Sequence, residues 1–265
     1  MKQLILSLLI CFPLTQMACT SAEATGLIGP PYEEFATGDE VLKGIQQRIY
    51  QAFVASTISG DHAQLTALEA QLKDLHKESG QKLIVYWQSY LKFYSSIFYL
   101  KKSDQKTAEA EIDLGVKWMK NMKEKNAEDY ALLAWLQGFS LQFKGMKVMF
   151  MASGIKENAR KAVELDPENP RANFVYASND YHTPEAYGGG KEAEKHLLKA
   201  ISLPDQKVKN AYLPSWGREE AYEMLIKLYM KQEKWEEAKQ HFAAGKKAFP
   251  ESYQLNQLAS QLIGK

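Results

Sequence analysis

The sequence is nearly without cysteine. Cys11 and Cys19 are the two cysteines among its 265 residues, and both lie within the first 19 positions. A disulfide framework, a thiol nucleophile and a cysteine-based zinc site are therefore excluded for the rest of the chain. The remaining residues are numerous enough to bury a large core without such cross-links.

The sequence also lacks an excess of either charge. Its 33 lysines and arginines face 32 aspartates and glutamates, which leaves a formal net charge of +1. A nucleic-acid-binding protein usually carries a basic face large enough to shift this balance. We therefore expect no nucleic-acid partner.

Long apolar runs are missing as well. The run from Leu4 to Leu14 is shorter than the roughly 20 residues that a membrane-spanning helix needs, and no later run is longer. It follows the positive Met1-Lys2 and precedes a series of small residues, an order typical of a cleavable secretory signal. We predict a signal peptide over residues 1–24, export to a bacterial periplasm or beyond, and no transmembrane helix in the mature chain.

Two processing routes remain open. Residues 22–24 (Ala-Glu-Ala) form an A-x-A cleavage site that would release a free protein beginning near Thr25. Residues 16–19 (Gln-Met-Ala-Cys) resemble a bacterial lipoprotein signal, in which Cys19 would be lipidated and would anchor the chain to the envelope. Either route predicts export, and membrane anchoring is expected only if Cys19 is lipidated.

Motifs of catalysis are also scarce. The five histidines form no H-E-x-x-H pair or other close ligand pair, and no local motif suggests a Ser-His-Asp arrangement. Residues 188–191 (Gly-Gly-Gly-Lys) precede a helix, but they lack the preceding strand and the Ser or Thr that a phosphate-binding loop requires. We predict a protein that is not an enzyme and that uses neither a metal nor a cofactor.

What the sequence does contain is helical periodicity. Residues 25–39 are rich in Gly and Pro and predict an N-terminal arm. From residue 40 onward, apolar residues recur at helical spacing, beginning with Val41, Ile45 and Ile49, and no alternating strand pattern is found. We predict an all-α domain over residues 40–265.

One stretch, residues 219–252, resembles a complete tetratricopeptide repeat (TPR), a 34-residue helix pair. Its matching positions are Tyr222, Leu225, Tyr229, Ala238, Phe242, Gly245 and Pro250, whereas Ile226 replaces the consensus glycine. The small–bulky–small pattern recurs less regularly elsewhere, most clearly in residues 170–207. Because small residues let paired helices approach closely, we predict a TPR-like α-solenoid of about five helix pairs with a C-terminal capping helix.

A further resemblance covers residues 155–250. The segments 183–194 and 214–217 (Pro-Ser-Trp-Gly) are similar to segments of a group of exported bacterial TPR proteins. That group is similar in layout to the periplasmic TPR component of some TRAP transporters. The resemblance implies family and compartment, but no common activity.

The predicted function follows from the concave groove of a solenoid, which is its usual partner site. We expect a non-catalytic exported scaffold that binds a protein or peptide partner there, with residues 180–190 and 203–218 adding contacts beside the groove. The groove candidates are Phe174, Ser178, Tyr181, His182, Lys227, Met230 and Lys231.

The alternative is a small-molecule-binding or transporter-accessory periplasmic protein. Its ligand surface would include Trp87, Tyr94 and Phe98, for which packing inside the core is the competing interpretation. A deep pocket would favour this alternative over an open groove. A methionine-rich stretch, residues 146–151, is either a binding surface or the core of an irregular repeat, and we interpret it as core.

Overall fold

The computed structural model describes residues 40–265. The predicted signal peptide, Cys19 and the predicted arm lie outside the described residues. Eleven α-helices occupy the described part, and no β-strand occurs in it, which confirms the predicted all-α class. They are α1 (Ile45–Ser59), α2 (Ala63–Ser79), α3 (Lys82–Lys101), α4 (Gln105–Asn121), α5 (Ala127–Ser140), α6 (Val148–Leu165), α7 (Pro170–His182), α8 (Ala193–Ser202), α9 (Arg218–Lys231), α10 (Trp235–Ala248) and α11 (Tyr253–Leu262).

The helices stack as successive pairs. α1 packs on α2, α3 on α4, α5 on α6, α7 on α8, and α9 on α10, while α11 covers the last pair. The first helix of each pair also contacts the first helix of the next pair. This is the arrangement of a solenoid, whose first helices line the concave face. We call α1, α3, α5, α7 and α9 the inner helices; five pairs and a terminal helix confirm the predicted architecture.

Small residues allow this close stacking. A Cβ atom added at Gly245 of α10 would lie 3.2 Å from side-chain atoms of Leu255 and of Tyr222. A Cβ added at Gly115 of α4 would lie 3.1 Å from the Ser89 carbonyl oxygen of α3. These contacts are tighter than ordinary van der Waals separation, so the glycines set the distance between neighbouring helices.

The inner helices that carry the site begin at well-defined caps. Asn126 and Asp129 form a reciprocal capping box at the start of α5, with both hydrogen bonds at 3.0 Å. The Asn169 side chain accepts hydrogen bonds from two backbone N–H groups at the start of α7. At α9, the Glu220 carboxylate accepts a 2.7 Å hydrogen bond from the Gly217 N–H. Such caps satisfy donors that the helix leaves free, and so they fix where each helix begins.

None of the described helices has the length and apolar character that crossing a membrane would require.

Candidate functional site

The connection between α8 and α9 is long, running from residue 203 to residue 217. Residues 203–217, which we call the crossing segment, extend back to α3 and to the turn that precedes α1. The Ala211 carbonyl accepts a 2.8 Å hydrogen bond from the Gly44 N–H, and the Tyr212 carbonyl accepts a 3.0 Å hydrogen bond from the Trp87 indole. The segment therefore joins the fourth and fifth helix pairs to the first two.

Trp216 fills part of the concave face. Its indole stacks on Trp135 of α5 with ring centroids 4.4 Å apart, and it meets Phe174 of α7 edge-on. Its Nε1 donates a 2.7 Å hydrogen bond to the Tyr86 hydroxyl of α3. Only 3% of Trp216 is exposed. Because its three partners lie on inner helices, Trp216 occupies the groove that the sequence assigned to a partner.

An ion pair between buried Arg171 and partly buried Glu128 holds the crossing segment in place. The Arg171 guanidinium binds both carboxylate oxygens of Glu128 at 2.5 Å. It also donates to the carbonyl oxygens of Asp205 and Trp216 at 2.8 and 3.2 Å. Gly217 adopts a φ of 102°, and a Cβ there would lie 2.8 Å from the Arg171 Cγ atom, so this turn requires glycine.

Beside Trp216, the concave face has an open cavity. This cavity of about 630 Å³ lies between α5, α6 and α7, towards the C-terminal ends of α5 and α7, and also touches α9. Its apolar wall includes Trp135, Phe139, Val148, Met149, Phe174 and Met224. Its polar lining residues are Lys156, Ser178, Asn179, His182 and Thr183, together with Ser153 and Tyr187. Trp135 and Phe174 border both the cavity and Trp216.

A glycine in the cavity wall helps to keep the cavity empty. Gly138 of α5 lines it, and a Cβ added there meets no atom within 4 Å. Gly154 of α6 is also helical and also meets nothing within 4 Å, but it does not line the cavity. The two glycines therefore form a matched pair of exposed helical positions, of which only Gly138 lines the cavity.

His182 ends α7 at the polar part of the lining. Partial burial lowers its pKa, and the positive charges of Lys227 and Lys231 on α9 lower it further. Lys227 pairs with Glu223 at 2.5 Å, whereas the Lys231 ammonium lies 5.7 Å from the centroid of the Tyr181 ring. Both effects favour the neutral form of the imidazole.

The structure brings together most of the predicted groove residues. Phe174, Ser178 and His182 line the cavity, and Lys227 and Lys231 lie close enough to affect the charge state of His182. Tyr181 contacts Lys231, and Met230 is packed against the core. That these residues bind a partner stays a prediction.

The second predicted set lies elsewhere. Trp87 and Phe98 are 0% and 3% exposed and belong to the core. Tyr94 is half-buried, and its ring packs on Phe93, which in turn packs on Trp135 and Phe139. None of the three lines the cavity.

Sequence reasoning missed the residues on α5. Trp135, Gly138 and Phe139 stand three and four positions apart, a spacing that places them on one helix face. That spacing is equally typical of core residues, so it gave no signal for a cavity.

The interpretation of the methionine-rich stretch as core is wrong for three of its residues. Met146, Met149 and Phe150 are 91%, 74% and 85% exposed. The packed face of α6 continues through Ile155, and positions 149 and 150 lie off that face in helical register. With Tyr187, which is 73% exposed, they form an apolar surface that we call the exposed rim; Met149 and Tyr187 also line the cavity.

Within residues 40–265, no group of histidines and carboxylates is placed to hold a metal ion.

Comparison with known proteins gives likenesses of fold. No family model matches the chain, and no curated protein sequence matches it. The crystal structure of TTC0263, a thermophilic TPR protein of Thermus thermophilus, matches with a TM-score of 0.55 at 14% identity, over 83% of this chain and 98% of that one. The HusA haemophore from Porphyromonas gingivalis matches with a TM-score of 0.52 at 20% identity, over 74% of this chain and 96% of that one. These likenesses establish a TPR-like helical fold for the chain.

Proposed function

We propose that this chain is an exported, non-catalytic binding protein that holds an apolar small molecule in the cavity between α5, α6 and α7. The observation that carries the proposal is the cavity itself, about 630 Å³ in volume with a largely apolar wall and a few polar groups. Small-molecule sites are typically concave, apolar and roughly 300–1,000 Å³ in volume.

The occupied part of the groove supports the same ligand class. A peptide lying along the concave face would have to displace Trp216, which is stacked on Trp135 and hydrogen-bonded to Tyr86. That displacement would expose a buried indole, at a cost of a few kcal/mol. A compact ligand confined to the cavity avoids this cost.

The cavity lining also supports a non-catalytic role. No aspartate or glutamate lines it among the described residues, so His182 has no carboxylate partner inside the cavity. General acid–base and nucleophilic catalysis both rely on paired groups of that kind.

A protein partner is the second candidate, and the exposed rim favours it. Four large apolar side chains stand in solvent at 73–91% exposure, two of them at the cavity. Methionine-rich surfaces adapt readily to different partners, and exposed apolar patches often mark interfaces. A partner could cover the rim and insert an apolar side chain into the cavity.

The cavity proposal is tested with N-phenyl-1-naphthylamine, a neutral probe that fluoresces in apolar sites. We expect saturable binding to the purified protein and at least about tenfold weaker binding to Gly138→Phe, whose ring would occupy the cavity. Gly154→Phe adds the same ring on the solvent side and should bind as the unmodified protein does. Equal affinity in Gly138→Phe and Gly154→Phe would contradict the proposal.

The named ligand class of one structural neighbour suggests a second probe. HusA is named as a haemophore, and a porphyrin is a large apolar ring. Protoporphyrin IX therefore belongs in the ligand panel, with its visible absorbance as the signal.

Export rests on residues 1–24 alone. In the native host, we expect the protein in the envelope or secreted fraction. Metabolic labelling with a fatty-acid analogue should label the wild type but not Cys19→Ala if the lipoprotein route operates. Recovery of the full-length chain from the cytoplasm would contradict export.

A further inference from the structure

The geometry points to a ligand with an acidic group attached to an apolar body, the acid lying against the end of α7 and the body against α5. This inference rests on the proposed small-molecule function and specifies the chemistry of its ligand.

The cavity is chemically asymmetric. The lining residues of α5 are apolar throughout, among them Trp135, Gly138 and Phe139. The polar lining is concentrated on the last turns of α7 and just beyond, at residues 178, 179, 182 and 183. The Thr183 hydroxyl already donates to the Asn179 carbonyl at 2.7 Å. A wholly apolar ligand would offer no hydrogen bond to the side chains of Ser178, Asn179 and His182, and covering such groups without a partner costs free energy. An amphipathic ligand satisfies both walls.

The charges that act on His182 in this polar part are positive. Lys156 lines the cavity, and Lys227 and Lys231 act on His182 from α9. Among the described residues, no ion pair involves Lys156 or Lys231, although Glu223 offsets the charge of Lys227. Two carboxylates, those of Asp180 and Glu192, line a neighbouring hollow together with Lys156. The Asp180 carboxylate accepts 2.8 Å hydrogen bonds from the N–H groups of Glu192 and Ala193, and the charges that lower the pKa of His182 are those of Lys227 and Lys231.

The helix dipoles do not make the polar part of the cavity unfavourable for an anion. The C-terminus of α7 carries a partial negative charge, which opposes an anion. The N-terminus of α6, where Val148 and Met149 line the same cavity, carries a partial positive charge of similar size. The two contributions oppose each other, and the full positive charges of Lys156 and Lys231 favour an anion. A cationic ligand would be repelled, and an anionic one would be attracted.

The test uses two probes that differ in one group. 8-Anilino-1-naphthalenesulfonate has the same aromatic body as N-phenyl-1-naphthylamine and adds an anionic sulfonate. In the double variant Lys156→Gln/Lys231→Gln we expect the affinity for the sulfonate probe to fall at least about fivefold, while the affinity for the neutral probe changes by less than about twofold.

A matched control removes two lysines from other faces. Lys73 on α2 and Lys106 on α4 are exposed, and neither lines the cavity. Lys73→Gln/Lys106→Gln makes the same change in net charge and should leave both affinities nearly unchanged. Equal losses for both probes, or an equal loss of the sulfonate probe in this control, would overturn the inference. Failure of the neutral probe to bind at all would instead defeat the proposed function.

Two natural sources of such a ligand are distinguished by competition. Dodecanoate and dodecanol represent acyl chains with and without the acid, and protoporphyrin IX and its dimethyl ester represent the ring equivalents. Displacement of the neutral probe by an acid more strongly than by its neutral counterpart supports the inference and identifies the source. No preference for the acid in either series would contradict it.

Discussion

The two parts of the concave face share the inner helices α5 and α7 and differ in what occupies them. Towards the start of α3 and α7, the crossing segment places Trp216 against aromatic rings of three inner helices. Towards the ends of α5 and α7, the corresponding space is an open cavity of about 630 Å³. Trp135 borders both.

The occupied part indicates what the open part can bind. Trp216 combines a flat apolar body with one polar atom, which donates to Tyr86. Because it is covalently part of the chain, its binding carries no cost in translational entropy. The open part offers a similar aromatic wall with polar groups at one side, so an amphipathic apolar molecule is the corresponding free ligand.

The strongest test of this comparison empties the occupied part. Trp216→Ala removes a side chain that is 3% exposed, and we expect the free energy of unfolding to fall by about 3–5 kcal/mol. Urea denaturation measures the loss. The same variant should bind N-phenyl-1-naphthylamine with higher affinity, since the cavity would extend past Trp135. A loss below about 1 kcal/mol would show that the crossing segment is not packed as described.

The next test loosens the anchor of the crossing segment. Arg171→Lys loses the two-pronged contact with Glu128 inside the protein, and we expect a loss of about 2 kcal/mol in urea denaturation. Arg160→Lys is the control, because Arg160 pairs with Glu157 and Glu164 on the exposed face of α6. That variant should lose less than about 0.5 kcal/mol. Equal losses would contradict the anchoring role.

A smaller effect concerns the acid that caps α9 beside the crossing segment. Burial raises the pKa of Glu220 to about 7, and the negative charge of Glu219 contributes to the rise. The folded state then binds its proton more tightly than the unfolded state, so this residue makes stability fall as pH rises from about 4.5 to about 7.

Replacing Glu220 with glutamine tests the effect of its charge separately from the effect of its hydrogen bond. Glu220→Gln keeps a side-chain oxygen for the Gly217 N–H but cannot ionise. Thermal unfolding should show the variant more stable than the wild type by about 1–2 kcal/mol near pH 8 and nearly equal near pH 4.5. Lower stability of the variant near pH 8 would contradict the assignment.

The smallest effect concerns the exposed rim. Met149→Ser should weaken binding of N-phenyl-1-naphthylamine by about two- to threefold, because Met149 lines the cavity, and should change stability by less than about 0.5 kcal/mol. Met146→Ser lies outside the lining and should leave probe binding unchanged. If the rim instead serves a protein partner, both substitutions should weaken that complex.

The repeat architecture was predictable because helix periodicity and the small residues between paired helices are local features of the sequence. The same register placed Phe174, Ser178 and His182 on one face of α7. The role of Trp216 was not predictable in this way, since its hydrogen-bond partner Tyr86 is 130 residues away. From the sequence, residues 203–218 were expected to add contacts beside the groove, whereas Trp216 lies inside it.

The cavity was harder still to predict. The cavity depends on how several helices approach one another and on glycine at position 138, where a side chain would take up space. No residue pattern reports either condition. The exposed rim was missed for a related reason. Met149 and Phe150 belong to an apolar helix turn, but they lie off the face of α6 that is buried through Ile155, Ala159 and Ala162.

The most direct test is a crystal structure of the protein with N-phenyl-1-naphthylamine bound. We predict density for the probe between Trp135, Phe139, Phe174 and His182, with Trp216 still stacked on Trp135. A probe lying on the exposed rim alone, or one that replaces Trp216 and leaves the cavity empty, would contradict the account.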